Sequence, residues 1–225
     1  GIISTGDEII PITEKPRRGQ IRDINSYTLA GLIKETGAVA KSYGIVKDNF
    51  EMLLEKCRLA LDHCQMVLIS GGSSVGSRDY TVDVLSALRG AKILVHGISI
   101  SPGKPTILAS VNNKSLWGMP GHVVSAMIVF LMVVKPFVDH LSGRPATEGG
   151  GQRLQAKLSR NVASKQGRVD FIRVRLRKED DGLWADPVLG KSGLISTMVN
   201  ANGLIQIDIN TEGLDKGDKV EVIPM

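Results

Sequence analysis

At 225 residues the chain exceeds the usual domain of about 100–150, which points to one large domain or two unequal ones. Hydrophobic residues at 42% and charged residues at 23% exclude wholesale disorder, and fibrous, collagenous and disulfide-rich classes are excluded as well. Residues 1–145 hold 16 Lys and Arg against 12 Asp and Glu, and residues 146–225 hold 12 against 11. This mild excess has no long basic run and suits a small anionic ligand better than nucleic acid.

The first elements alternate in type. Ile2–Ser4 reads as a buried strand that runs into the turn Thr5-Gly6-Asp7-Glu8. A polar connection with Pro11, Pro16 and Gly19 leads to a helix through Glu35, capped by Asp23 or Asn25 and stopped at Gly37. Val39–Val46 is a strand, and Asp48 or Asn49 caps the next helix. Met66–Ile69 is a continuous apolar strand that enters Gly71-Gly72-Ser73-Ser74-Val75-Gly76. A helix over Thr81–Leu88 and a strand over Ile93–Ile100 follow, the latter ending at Ser101-Pro102-Gly103-Lys104-Pro105. A hairpin about Asn112-Asn113 precedes Pro120-Gly121 and a long apolar helix from Val123 to about Leu141.

From Ala146 the pattern changes to short alternating runs at Arg153–Leu158, Asp170–Arg177, Gly182–Pro187, Leu204–Ile207 and Lys219–Ile223. The expected fold is therefore a doubly wound, mostly parallel three-layer α/β sheet domain over residues 1–145, followed by a small all-β barrel over 146–225. The joint falls near Ser142–Gly151. Cys57 and Cys64, seven apart on one helix face, read as buried reduced thiols in a cytoplasmic protein. The apolar stretch around Val123–Val134 is shorter than the roughly 20 residues of a membrane span. The opening Gly1-Ile2-Ile3, already in a strand pattern and without Met, is expected of a fragment of something longer.

Four glycine-bearing turns leave strands or open a helix: Ser4–Glu8, Gly71–Asp79, Ser101–Pro105 and Gly118–Ser125. In an open α/β sheet, ligands bind outside the C-terminal strand ends, so these turns are the candidate site. Gly71, Gly72, Ser73, Ser74 and Gly76 can cradle phosphate oxygens with backbone N–H groups and hydroxyls. Asp79 is placed either to cap the third helix or to face the pocket as a base or metal ligand. Lys104, between two prolines, is a point charge on a stiff loop, or a solvated turn lysine.

The set Ser4-Thr5-Gly6-Asp7-Glu8, Gly19 to Asn25, Gly71 to Asp79, Pro102-Gly103-Lys104-Pro105 and Met119-Pro120-Gly121 with Ser125-Ala126 resembles the molybdopterin molybdenumtransferase family, which includes the E domain of gephyrin. Lys191-Ser192-Gly193 to Ser196 and Ala201-Asn202-Gly203-Leu204 extend the resemblance through the β part. It implies a pterin-binding domain, a C-terminal barrel and two further domains ahead of them. The implied reaction inserts molybdate into adenylylated molybdopterin with Mg²⁺ and releases AMP, in a homodimer. It also implies that Gly71, Gly72, Ser73, Ser74 and Gly76 hold the phosphate or adenylate, that Asp79 is the essential acid and Mg²⁺ ligand, and that Asp7 and Asp23 line the pocket. Lys104, Pro105, Ser125, Arg168 and Ser196 correspond to positions associated with molybdate. Two departures stand out: Ser101 where the family commonly has a basic residue, and His122-Val123 in place of Asn-Pro. A scaffold module of the gephyrin type, or a nucleotide hydrolase on the same α/β domain, are the alternative readings.

Overall fold

The structure is a computed structural model that describes residues 1–71, 80–144 and 152–225. It separates into two compact units, Gly1–Ile98 with Gly103–Phe130, and Ser99–Pro102 with Leu131–Met225.

The first unit is built around β1 (Ile2–Thr5), with the short β2 (Ile9–Ile10) and β3 (Ile21–Arg22) paired to each other beyond it. Then come α1 (Asn25–Glu35), β4 (Ser42–Val46), α2 (Phe50–His63), β5 (Met66–Ser70), α3 (Tyr80–Ala87) and β6 (Ala91–His96). The short β7 (Ile100–Ser101) belongs to the second unit; β8 (Ile107–Val111), β9 (Lys114–Met119) and α4 (Val123–Val129) complete the first. The sheet order is β4-β1-β5-β9-β8-β6. Its first four strands are parallel, whereas β8 runs antiparallel to both β9 and β6. The reason lies in the connections. Helices return the chain between parallel strands, but Asn112-Asn113, both with positive φ, turns it back directly between β8 and β9.

Alternation along β1 explains why its residues are buried on both sides. Ile3 joins Val67, Ile69 and Leu116 in a core with Leu53, Cys57, Val84 and Leu85 of α2 and α3. Ile2 and Leu68 point to the opposite face, where α1 meets α4. Asn49 caps α2 by accepting the Met52 N–H at 2.9 Å, one of the two caps expected there. For α1 the cap residue is Ile24, but Asp23 supplies the equivalent bond by accepting the Ser26 N–H at 3.1 Å.

The second unit holds β10 (Leu154–Leu158), β11 (Val162–Ala163), β12 (Val169–Glu179), β13 (Gly182–Pro187), β14 (Gly203–Ile207), β15 (Gly213–Leu214) and β16 (Lys219–Pro224). The order β13-β10-β16-β14-β12 closes through a β12–β13 pairing into a five-stranded barrel. Leu158, Val174, Ile205, Ile207 and Val222 fill it. β7 adds to β12 in parallel, opposite Val169 and Asp170. The strand expected to run from Ile93 to Ile100 is therefore two, and its last residues pair with the barrel.

The expected long helix is interrupted. After α4 comes a π-helical turn, Phe130–Val134, and then α5 (Lys135–Leu141). Pro136 explains the wider turn, since it lacks the N–H for an α-helical bond and its ring crowds the carbonyl four residues back. Taken whole, Val123–Leu141 is one helix long and apolar enough to cross a membrane by length and composition, contrary to the sequence expectation, but 56% of its apolar window is buried within the protein. Cys57 is fully buried, which pushes its thiol up to about 12, whereas Cys64 is only partly buried.

Candidate functional site

The C-terminal ends of β4, β1, β5 and β9 share one edge of the first sheet because those strands are parallel neighbours. The turns that leave them are cross-tied. Thr5 at the end of β1 donates from Oγ1 to Asp48 Oδ1 at 3.2 Å, while Asp48 N–H donates to Asp7 Oδ1 at 3.3 Å. Lys47 Nζ donates to the Asp7 carbonyl at 2.9 Å. The turn carrying Asp7 is thus clasped by the turn after β4.

A buried network lies behind this edge. Asp23, 6% exposed, accepts Ser4 Oγ at 2.9 Å, Ser26 Oγ at 2.6 Å and the Ser26 N–H at 3.1 Å. Asn25 uses both hydrogens of its amide, one to Ser70 Oγ at 2.7 Å and one to the Gly121 carbonyl at 2.8 Å. One side chain thereby joins the start of α1, the end of β5 and the turn before α4. A buried bidentate donor of this kind fixes spacing, because losing either acceptor strands an N–H without water.

Gly71 has φ +107, and a Cβ there would lie 2.0 Å from the Thr5 carbonyl oxygen. Glycine at this position is required by the neighbouring turn, in addition to any ligand. The remaining cradle residues, Gly72, Ser73, Ser74 and Gly76, and the acid Asp79, lie outside the described residues. Lys104 is exposed, and its carbonyl accepts the N–H groups of Ile98 and Thr106 at 3.0 and 2.9 Å. With Pro105 it precedes β8, at the same sheet edge as the β9 exit. Ser125 is buried in the first turn of α4. Beside the network is a cavity of about 760 Å³, lined by Ile9, Ile12, Asp23, Tyr27, Ile45 and Lys47 among others, a size typical of small-molecule pockets.

In the barrel unit, Arg168 flanks Asp170: Nη2 donates to Oδ2 at 3.3 Å, and Nε lies 3.0 Å from Oδ1, off its N–H direction. Asp170 also accepts Ser164 Oγ at 2.6 Å. Burial alone would raise its pKa, but bonds from Ser164, Ser101 and Arg168 outweigh burial and hold it below 3.8. Ser101, the first departure, therefore serves as a partner of Asp170, its register neighbour across β7 and β12. Ser196 is exposed at the start of α6 (Ser196–Val199).

From its pattern the sequence offers Asn25 and Asp48 as helix caps, Asn25 also closing the Gly19–Asn25 motif, and it gives Lys47 and Ser26 no role. The pattern of the chain carried no signal that Asn25 reaches residues 45 and 96 positions away. Asp23 is expected from sequence to line the substrate pocket; in the structure its carboxylate is held by two serines, and it borders the cavity of about 760 Å³. Among the described residues no group of three or more His, Cys, Asp or Glu gathers to hold a metal ion.

An α/β sheet unit with glycine-bearing turns at its parallel edge and a five-stranded barrel define a two-unit class that is shared with known proteins. Residues 1–140 match the family model described as probable molybdopterin binding domain, and residues 155–225 match the MoeA C-terminal region, domain IV. The chain belongs to the molybdopterin-binding-domain family. A putative molybdopterin biosynthesis protein of Methanocaldococcus jannaschii is 37% identical over 99% of this chain and 54% of its own. The molybdopterin molybdenumtransferase of Haemophilus influenzae is 30% identical over 100% of this chain and 55% of its own. A solved MoeA protein of Pyrococcus horikoshii superposes with a TM-score of 0.84 at 34% identity, covering 99% of this chain and 53% of that one. The chain thus spans about half the length of the relatives it matches, and the resemblance drawn from its motifs holds.

Proposed function

We propose that the chain contributes to molybdenum cofactor biosynthesis as the pterin-binding and barrel portion, residues 1–145 and 146–225, of a molybdopterin molybdenumtransferase. In this reading it handles adenylylated molybdopterin and molybdate, with release of AMP, as part of a cytoplasmic homodimer. The observation that carries it is Asn25 tying Ser70 and Gly121 together at the edge where β1, β5 and β9 end. That tie gives an anionic pterin substrate a preset seat bordered by backbone N–H groups. Lys104 and Ser125 on the same unit suit a tetrahedral dianion, which prefers a cation and hydroxyl donors. Arg168 and Ser196 offer the same chemistry on the barrel. The cavity beside Asp23, apolar along Ile9 and Ile45 and polar at Asp23 and Lys47, suits an organic ring with polar edges. Asp79 is the proposed Mg²⁺ ligand, whose carboxylate oxygens would hold the ion beside the substrate phosphate.

The test supplies the chain with adenylylated molybdopterin, molybdate and Mg²⁺ and follows AMP. Molybdate-dependent AMP release that Lys104→Ala lowers at least about tenfold supports the reading, since a desolvated charge contact is worth that much. The chain alone is expected to show weak or no release; pterin binding with no AMP release in a full-length protein that carries this portion as well overturns the reading in favour of a non-catalytic binding module.

A further inference from the structure

The densest run of positive charge in the first unit is the connection from β2 through β3, where Lys15, Arg17, Arg18 and Arg22 fall within eight residues. Residues 1–145 hold 16 basic residues against 12 acidic ones, an excess of four, and these cations set against Glu14 account for three of it. All four are exposed, and among the described residues none of them forms an ion pair. Arg22 is committed to a side-chain bond, its Nε donating to the Glu14 carbonyl at 3.0 Å.

The backbone fixes where these charges stand. β2 and β3 pair in parallel, Ile9 opposite Ile21 and Ile10 opposite Arg22. The Ile21 N–H donates to the Glu8 carbonyl at 2.9 Å, and the Asp23 N–H to the Ile10 carbonyl at 2.8 Å. Between them the Glu14 N–H bonds the Pro11 carbonyl at 3.1 Å. Arg17 and Gln20 close a further turn, the Gln20 N–H on the Arg17 carbonyl at 3.0 Å and the Arg17 N–H on Gln20 Oε1 at 3.0 Å. The cations therefore rise from the turn that carries Asp7 and Glu8. Glu14 and Gln20 of the same connection line the cavity of about 760 Å³.

That placement matters because the sheet edge is itself acidic. Asp7, Glu8 and Asp48 are exposed there, with Lys47 as the neighbouring cation. A ligand that carries several negative charges is repelled by these carboxylates on the last part of its approach. Unpaired cations beside the edge offset that field over a Debye length, about 30 Å at 0.01 M salt and about 8 Å at 0.15 M. Long exposed side chains suit such action at a distance, since pinning each to one contact would cost its rotamer entropy.

We propose that the β2–β3 connection is an electrostatic guide for a multiply charged anionic ligand, in which Lys15, Arg17 and Arg18 raise its rate of encounter with the sheet edge without touching it once bound. This rests on the reading of that ligand as adenylylated molybdopterin, and adds how it reaches an acidic edge.

The experiment measures association and dissociation rates for the 225-residue chain by stopped flow, with adenylylated molybdopterin and ADP as separate probes, at low and high salt. One triple variant, Lys15→Gln with Arg17→Gln and Arg18→Gln, removes three charges. A second, Lys15→Arg with Arg17→Lys and Arg18→Lys, keeps them on different head groups. Arg22 is left in place because it holds the connection. The glutamine variant is expected to associate about tenfold more slowly at low salt with dissociation unchanged, and the gap should close toward about 0.5 M salt. The charge-keeping variant should match the wild type, since a guide depends on charge and not on the shape of a guanidinium fork. Equal association rates in the glutamine variant and the wild type overturn the guide. Faster dissociation in the glutamine variant, or slow association in the charge-keeping one, overturns it too, because either makes these side chains binding contacts. Binding of ADP without adenylylated molybdopterin overturns the transferase reading, and the ADP rates then decide the guide. A wild-type chain that binds neither probe overturns both.

Discussion

The two units of this protein solve the same problem of ordering polar groups by opposite means. At the sheet edge of the first unit, order comes from neutral donors and one carboxylate that satisfy each other: Ser4, Ser26 and Asp23 in one knot, Asn25, Ser70 and Gly121 in the next. In the barrel unit, order comes from guanidinium groups, Arg168 on Asp170 and Arg177 on Asp186 nearer the surface, and the buried Arg173 on carbonyls alone. The contrast follows from burial. Behind four parallel strands covered by helices on both faces, an unpaired charge would be too costly, so the network is closed on itself. A barrel of this size leaves one strand face outside, where long cations stay near water and remain available to an anion.

This contrast can be broken at its strongest point by Gly71→Ala. With φ +107 and a Cβ 2.0 Å from the Thr5 carbonyl, the substitution is expected to cost roughly 3 kcal/mol or more, read by urea unfolding. A loss below about 1 kcal/mol would mean that the turn after β1 yields easily and that the edge is not rigidly built. Next in size is Asp23→Ala, which removes the shared acceptor of the Ser26 N–H and of the paired Ser4 and Ser26 hydroxyls; about 2–4 kcal/mol is expected. If stability stays unchanged while AMP release is lost, Asp23 is a reacting group and not the knot that the geometry shows.

Asn25→Ala removes two bonds that join three elements, with an expected loss of about 1–3 kcal/mol and weaker pterin binding. The barrel side is sharpened by acid titration. Asp170 has a folded pKa below its ordinary 3.8, so its contribution is complete above that value and is lost as pH falls through the lower folded value. Asp170→Asn should flatten this acid limb of the stability curve and leave the curve near neutral pH parallel to wild type. An unchanged acid limb would assign it to other carboxylates. Smallest is Asn49→Ala, which removes the cap of α2 and should cost about 1 kcal/mol in thermal unfolding without touching either site.

The local grammar of the fold was legible because period and punctuation act over short range. Met66–Ser70, the Asn112-Asn113 hairpin, the Asn49 cap and the barrel strand Gly182–Pro187 all fall where apolar runs and turn residues put them. The Ser99–Ile100 end of the expected strand was misplaced because pairing with Val169 of β12 is a contact between distant parts of the chain. The long helix was right in extent, and its π turn depended on how the backbone accommodates Pro136. For the site, the turns themselves were visible in their glycines and prolines, including Lys104 and Ser125. The roles inside them were not: Asn25 and Asp48 look like helix caps in sequence, since their partners lie 43 to 96 residues away.

By itself, then, the sequence determined two units of different class, a parallel edge carrying glycine-rich turns, and an aliphatic core suited to cover it, because these rest on side-chain periodicity and backbone freedom. Tertiary structure alone decided that Gly71 must make room for Thr5, that Asp23 is held by two serines, and that Arg173 is buried without a counter-charge. Those facts depend on which distant backbone and side-chain atoms come within hydrogen-bond reach, and no local pattern encodes that distance.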